Sequence, residues 1–372
     1  MYNGTAAINC GSPTLLTFYF YLVRIKKKRW VKNMAATLRD ISKRTGVSLS
    51  TVSKALRGSP EVSTETIELV KKVALELRYQ CKNTNWRTSR VIGVILPEVS
   101  SHYFAELCHS IGEQLEKRRY SMLLMLGGFT AEGISQAYQR MLQQNISGII
   151  ISVLKYTVPE IRLDISESSI PTVLFSEGGI SSTELDNVYI NCNGGIQLAV
   201  NHLQELGHKK IGYIGDVEST VRMDALSEVL RERGLPLETS FMKLGSERFE
   251  LGGYLRMREL LAEEKRPTAV IAGYDQVAFG AMRAIAEAGL RVPEDISILG
   301  IDNVVLDEYM PITITSIMNP TSQVGVIAVK LLLDKIQSTE DHIVQNVALQ
   351  CKLVERSSTG PVPIDGNCSD TL

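Results

Sequence analysis

Most of the residue patterns that enzymes depend on are missing from this chain. Its six cysteines, Cys10, Cys81, Cys108, Cys192, Cys351 and Cys368, are scattered and form no C-x-x-C pair. That argues against a zinc site and a disulfide framework and fits a reducing cytoplasm. None of the five histidines falls in H-E-x-x-H or in a close Cys/His cluster, so no metal site can be read. No strand runs into G-x-G-x-x-G, and neither G-x-x-x-x-G-K-[ST] nor G-x-S-x-G occurs. The phosphate cradles of nucleotide enzymes and the serine elbow of hydrolases are therefore absent, and no cofactor is implied. The apolar run at 15–23 is too short for a bilayer, which needs about 20 residues. The basic cluster Lys26-Lys-Lys-Arg29 lies after that run, the wrong order for a secretory signal. Net charge is -1, so the molecule as a whole is no polycation, and any affinity for nucleic acid must reside in a local patch.

Such a patch exists. Between Met34 and Arg90, basic residues such as Arg39, Lys43, Arg44, Lys54, Arg57, Lys71 and Lys72 outnumber the acidic Asp40, Glu61, Glu65, Glu68 and Glu76. The same stretch has a helix-turn-helix pattern. Leu38, Ile41 and Ser42 share one helical face, Gly46 is placed to end that helix, and Ser48 is placed to cap the next. Val52, Ala55 and Leu56 form the buried side of the second helix. Leu49, Ser50, Thr51 and Lys54 are left pointing outward near its start, where such a motif presents base-reading side chains. An ordinary helical hairpin has the same spacing, so the pattern alone leaves both readings open. A third helix begins after Ser63, with Ile67, Val70, Val73, Ala74 and Leu77 facing inward.

The composition, 44% hydrophobic and 22% charged over 372 residues, allows two or three domains with substantial cores. From Val91 the texture changes. Apolar runs at 91–96, 121–126, 148–152, 172–175, 188–190, 210–214, 268–272, 296–301 and 314–317 have the texture of strands buried on both faces. Helical patterns at 104–118, 131–144, 194–206, 221–233, 249–264, 276–288 and 322–336 alternate with them. That alternation predicts doubly wound parallel sheets, long enough for two lobes with a cleft between them. The expected organisation is an extension at 1–33, a helix-turn-helix domain at 34–79, a polar basic hinge linker at 80–90, a two-lobed body at 91–358 and a tail at 359–372. The extension lacks a core-forming pattern and is expected to be a disordered addition or a misassigned start ahead of Met34. A basic arm against DNA or a membrane surface is the alternative.

The order of these parts resembles the lactose-repressor/galactose-repressor family of bacterial transcription regulators. The likeness runs from Thr37 to Ser358. It is carried by Leu38-Arg-Asp-Ile-Ser-Lys-Arg-Thr-Gly-Val-Ser-Leu-Ser-Thr-Val-Ser-Lys-Ala-Leu-Arg-Gly58, by Tyr103-Phe-Ala-Glu-Leu107, by His202-Leu-Gln-Glu-Leu-Gly-His208 and by the stretch from Asp275 to Asp302. The resemblance implies a small all-α head on a body like the periplasmic binding proteins. It also implies a cytoplasmic homodimer on double-stranded operator DNA, and a small-molecule effector, a carbohydrate on base rates, held between the lobes. No leucine heptad occurs in Gly360-Pro-Val-Pro-Ile-Asp-Gly366, which favours a dimer over a tetramer.

Carried over by position, Leu49, Ser50, Thr51 and Lys54 would read bases and Arg57 would contact backbone or bases. The family's hinge leucine, which wedges into the minor groove, has no counterpart in 80–90. Trp86 is the large apolar side chain there, so either Trp86 is the wedge or the wedge is missing, at a cost in affinity and in kink-dependent specificity. In the body, Tyr103 and Phe104 match ring-stacking positions, and Arg222 matches the ligand-clamping arginine. Asp302 follows a strand at the carboxyl edge of the sheet, where such folds bind ligands. Two positions depart from the family pattern: Ser176 stands where an aspartate is common, and Tyr274 where an asparagine is common. These losses of acceptors keep a nucleoside, a purine or a sugar acid open as effectors beside a sugar. An enzyme on the same scaffold would need a catalytic cluster that is not visible. A plain solute-binding protein would have no use for the head.

Overall fold

The computed structural model describes residues 37–56, 59, 61–77, 89–153, 157, 158, 161, 165, 168, 170–179, 185–338 and 342–363. Arg57, Trp86, the extension, residues 80–88 of the linker and the tail from 364 onward lie outside them. The chain divides into two compact units, Met1–Asn83 and Thr84–Leu372.

In the first unit, α1 (Leu38–Thr45), α2 (Leu49–Leu56) and α3 (Thr64–Glu76) enclose one small core. The Asp40 carboxylate accepts the Thr37 backbone N–H at 2.8 Å and the Thr37 hydroxyl at 2.7 Å, closing the first turn of α1. These bonds hold its pKa below the ordinary value. Gly46 ends α1 at φ 72°, and its N–H donates to the Ser42 carbonyl. The Thr51 N–H donates to Ser48 Oγ at 3.2 Å, so Ser48 caps α2. Ile41, Val52, Ala55, Val70, Val73 and Ala74 are buried together, with Leu38, Leu56, Ile67 and Leu77 packed around them. The apolar faces expected from helical spacing are the faces that meet.

The second unit is built from two six-stranded sheets. The N-terminal lobe contains β1 (Val91–Leu96), β2 (Ser121–Leu126), β3 (Gly148–Val153), β4 (Thr172–Glu177), β5 (Asp186–Ile190) and β11 (Asn346–Leu349), in the order β11-β5-β4-β3-β1-β2. All its pairings are parallel. The C-terminal lobe contains β6 (Ile211–Asp216), β7 (Met242–Gly245), β8 (Ala269–Ala272), β9 (Ser297–Ile301), β10 (Thr315–Met318) and β12 (Lys352–Val354), in the order β12-β10-β9-β8-β6-β7. It is parallel except where β12 runs against β10. Helices α4 (His102–Lys117), α5 (Ala131–Met141), α6 (Cys192–Glu205), α7 (Thr220–Glu232), α8 (Phe249–Leu261), α9 (Asp275–Glu287) and α10 (Thr321–Gln337) cover the sheets.

The chain passes between the lobes after β5, after β10 and after β11. The three crossovers are tied together. The Asn191 amide donates to Gln350 at 2.9 Å, and the Cys351 thiol donates to the Asn319 side chain at 3.3 Å. Strands β7, β11 and β12 are additions to the sequence reading. They are short and half-exposed, so they lack the apolar run that marks the central strands.

Candidate functional site

On the head, Leu49 is 43% exposed at the start of α2. Ser50 and Thr51 lie beside it, their hydroxyls 2.9 and 2.8 Å from Ser48 Oγ. Lys54 is exposed and pairs with Glu61 at 2.6 Å. These four side chains line the polar side of α2 while Val52 and Ala55 are buried.

The second site lies between the lobes, where the strands' carboxyl ends face each other. Arg222, in the first turn of α7, is 5% exposed. One of its terminal nitrogens donates to the Gly273 carbonyl. The other reaches Glu177 Oε1 at 2.9 Å and Asp302 Oδ1 at 3.4 Å. Glu177 closes β4 in the N-terminal lobe, whereas Arg222 and Asp302 belong to the C-terminal lobe, so the guanidinium bridges the two. Asp302 follows β9 with φ 106°, a strained setting for a residue with a Cβ, and accepts the Asn319 amide at 2.7 Å. Burial pushes the Asp302 carboxyl up to about 7 against the opposing pull of Arg222.

Aromatic rings wall the N-terminal side. Tyr103 packs edge-on to Phe104 at 5.0 Å and tilts over Phe175 at 6.1 Å, and Phe104 meets Phe129 at 6.3 Å. The Tyr103 hydroxyl is buried and has no hydrogen-bond partner among the described residues. Burial raises its pKa well above the ordinary phenol value, Glu177 adding to the shift and Arg222 opposing it. Cys192, Ile196, Ile301, Ile317 and Cys351 line the pocket beside Arg222 and Asn319. Burial pushes both thiols up, Cys351 to about 11.

Tyr103, Phe104, Arg222 and Asp302 are thus brought to one cleft. Ser176 is not. It is fully buried, its hydroxyl donates to the Gly178 carbonyl at 3.0 Å and to Asn187 at 3.2 Å, and its neighbour Glu177 meets Arg222 instead. Tyr274 bonds with Asp216 and Phe249 and not with Arg222. Its hydroxyl donates to the Asp216 carboxylate and accepts the Phe249 N–H at 3.0 Å, with the Phe249 ring 6.0 Å away. Asp216 also receives Arg248, whose other end pairs with Glu98 of the N-terminal lobe at 3.0 Å. Glu177, Asn319 and Arg248 were not singled out from the sequence. Glu177 ends β4 and Asn319 directly follows β10, and position at a strand's carboxyl end is the one signal that could have found them. Among the described residues no group of three or more His, Cys, Asp or Glu could hold a metal ion. No helix among them is long and apolar enough to cross a membrane.

A helix-turn-helix head joined in one chain to a two-lobed α/β body with a polar, aromatic-walled cleft defines a class: DNA-binding regulators with an effector domain. Known proteins specify it further. Residues 37–82 match the bacterial regulatory proteins of the lacI family, and residues 200–359 match the periplasmic binding protein-like domain. The HTH-type transcriptional repressor PurR of Pasteurella multocida is 32% identical over 332 residues, 87% of this chain and 98% of that protein. Among solved structures, the Lac repressor dimer bound to operator and an anti-inducer is similar at 25% identity and TM-score 0.65, covering 88% of this chain and 99% of the other. A LacI family regulator from Enterococcus faecium with bound ribose is similar at 28% identity and TM-score 0.61, covering 73% and 99%. The chain belongs to the lacI family of bacterial transcription regulators, which bind DNA and are not enzymes.

Proposed function

We propose that this protein is a cytoplasmic homodimeric repressor that holds operator DNA through its heads and is controlled by a small neutral sugar bound between the lobes. Leu49, Ser50, Thr51 and Lys54 then face the major groove, Arg57 contacts backbone or bases, and Trp86 takes the wedging role at the hinge.

One observation carries the effector class: the Tyr103 hydroxyl is buried without a partner beside the Glu177–Arg222–Asp302 bridge. An unmade buried hydrogen bond costs about 1–3 kcal/mol, which a ligand hydroxyl would relieve. Carboxylates and a guanidinium fork suit vicinal hydroxyls, and the aromatic wall suits the apolar face of a sugar ring. Charge disfavours a sugar acid. Both guanidiniums, Arg222 and Arg248, are already paired with carboxylates, and an incoming anion would face Glu98, Glu177, Asp216 and Asp302. The bound ribose of the similar Enterococcus faecium regulator supports the same class.

The test is calorimetric titration of ribose, other pentoses and hexoses, adenosine and gluconate into wild type, Arg222→Ala and Asp302→Ala. A neutral sugar should bind the wild type. Each variant should lose about 1.5–3 kcal/mol, roughly ten- to hundredfold in affinity, while operator binding survives. Binding of adenosine or gluconate in preference to every sugar would overturn the effector class. Affinity in both variants equal to that of the wild type would overturn the site.

A further inference from the structure

Arg248 follows β7, at the edge of the C-terminal sheet farthest from the crossovers. Strands β10 and β12 occupy the opposite edge of that sheet, and β5 and β11 occupy the corresponding edge of the other. On the N-terminal side, Glu98 follows β1 and Phe129 follows β2, again at the edge away from the crossovers. These two far edges are joined through one guanidinium. Its Nη2 donates to Glu98 Oε1 at 3.0 Å and its Nε to Asp216 Oδ2 at 3.1 Å. Its central carbon lies 4.9 Å from the Phe129 ring centre and 4.6 Å from that of Phe249. Each lobe therefore contributes one carboxylate and one aromatic ring. Asp216 is itself fixed by N–H donors from Glu218 and Ser219, both at 3.0 Å, and by the Tyr274 hydroxyl.

Rotation about the crossovers moves this edge more than any other part of the cleft. Opening must break the Glu98 bond and pull Phe129 off the cation in the same motion. Both sides of the broken pair are partly buried, so the bond is shielded from solvent screening. The Arg222 bridge sits deeper in the cleft and would be exchanged for effector contacts on binding.

We propose that Arg248 is an interlobe clamp that holds the cleft closed before effector binds and so governs entry to it. The clamp's functional meaning rests on the cleft being the effector site, but its existence does not.

Cys192 and Cys351 report on it. They line the cleft beside Arg222 and are each 8% exposed, whereas Cys108 lies on α4, away from that lining. The full chain, without any added sugar, is alkylated with iodoacetamide, and the rate at each cysteine is read by peptide mass spectrometry. Arg248→Met keeps bulk between the rings. Glu98→Ala leaves Arg248 paired with Asp216 inside its own lobe, so the lobe's fold is preserved. Both should raise the rates at Cys192 and Cys351 by about tenfold or more, the loss expected for a charge-assisted bond, with Cys108 unchanged. Unchanged rates at Cys192 and Cys351 in both variants would overturn the clamp. So would an equal rise at Cys108, which would mean general loosening rather than opening between the lobes. Either failure leaves the effector reading intact, because that reading is decided by titrations into wild type, Arg222→Ala and Asp302→Ala.

Discussion

Asp302 is pulled two ways. Burial favours its neutral form, and the neighbouring Arg222 guanidinium favours its ionised one. Burial wins over the cation and lifts its carboxyl to about 7. The folded protein then keeps a proton that the unfolded chain has already released at the ordinary carboxylate pKa. A raised acid makes stability fall as pH climbs from about 4 to about 7, and the loss levels off above that. Asp307, pushed up to about 6, and Asp275, raised by burial and by Asp307, act in the same direction. Asp302→Asn removes one of the three contributions and keeps an oxygen that can accept from Asn319. Its melting temperature should fall less than that of the wild type between pH 5 and pH 7.5, as followed by circular dichroism. An identical pH slope in the two proteins would show that Asp302 is already ionised across this range.

At the scale of elements, the turn between α1 and α2 gives a local test. Gly46 has φ 72°, and a Cβ built there would meet nothing within 4 Å. Gly46→Ala therefore costs backbone energy alone, about 1–2 kcal/mol. The head should melt at lower temperature with the body's transition unmoved, which scanning calorimetry of the full chain would resolve. That turn was legible because glycine, serine and the apolar spacing all agree there. The central strands were legible for a similar reason: a strand buried on both faces is apolar throughout, as in Val91–Leu96. The edge strand β2 was legible too, but the short strands β7, β11 and β12 were not; β11, for one, alternates exposed and half-buried residues over four positions. The cleft was legible in part. Arg222 and Asp302 came from the family likeness and from the rule that ligands sit at strand ends. Glu177 was missed for its neighbour because a one-residue shift in a strand reverses the facing side, and nothing local in Phe175-Ser-Glu177 marks which residue leaves the core. Arg248 and Glu98 stand far apart in sequence, and their pairing depends on how two lobes close, which no local pattern encodes.

At the scale of the whole molecule, charge separates the two jobs. The chain's net charge is -1, yet Arg39, Lys43, Arg44, Lys54, Lys71 and Lys72 crowd into the head. Phosphate neutralisation releases counterions, so the logarithm of operator affinity should fall linearly with that of salt, with a slope near -0.9 for each phosphate contacted. In the proposed homodimer, two heads on one operator would double the number of contacts and steepen the slope. A chain beginning at Val91 keeps both six-stranded sheets and the Glu177–Arg222–Asp302 bridge but none of these head cations. It should bind sugar as the full chain does and show no measurable affinity for DNA. The check is fluorescence anisotropy on the gene's own upstream region across about 50–200 mM salt, run beside calorimetry on the shortened chain. A salt-independent affinity, or DNA binding that survives removal of residues 1–90, would place the interface on the body and overturn this division of labour.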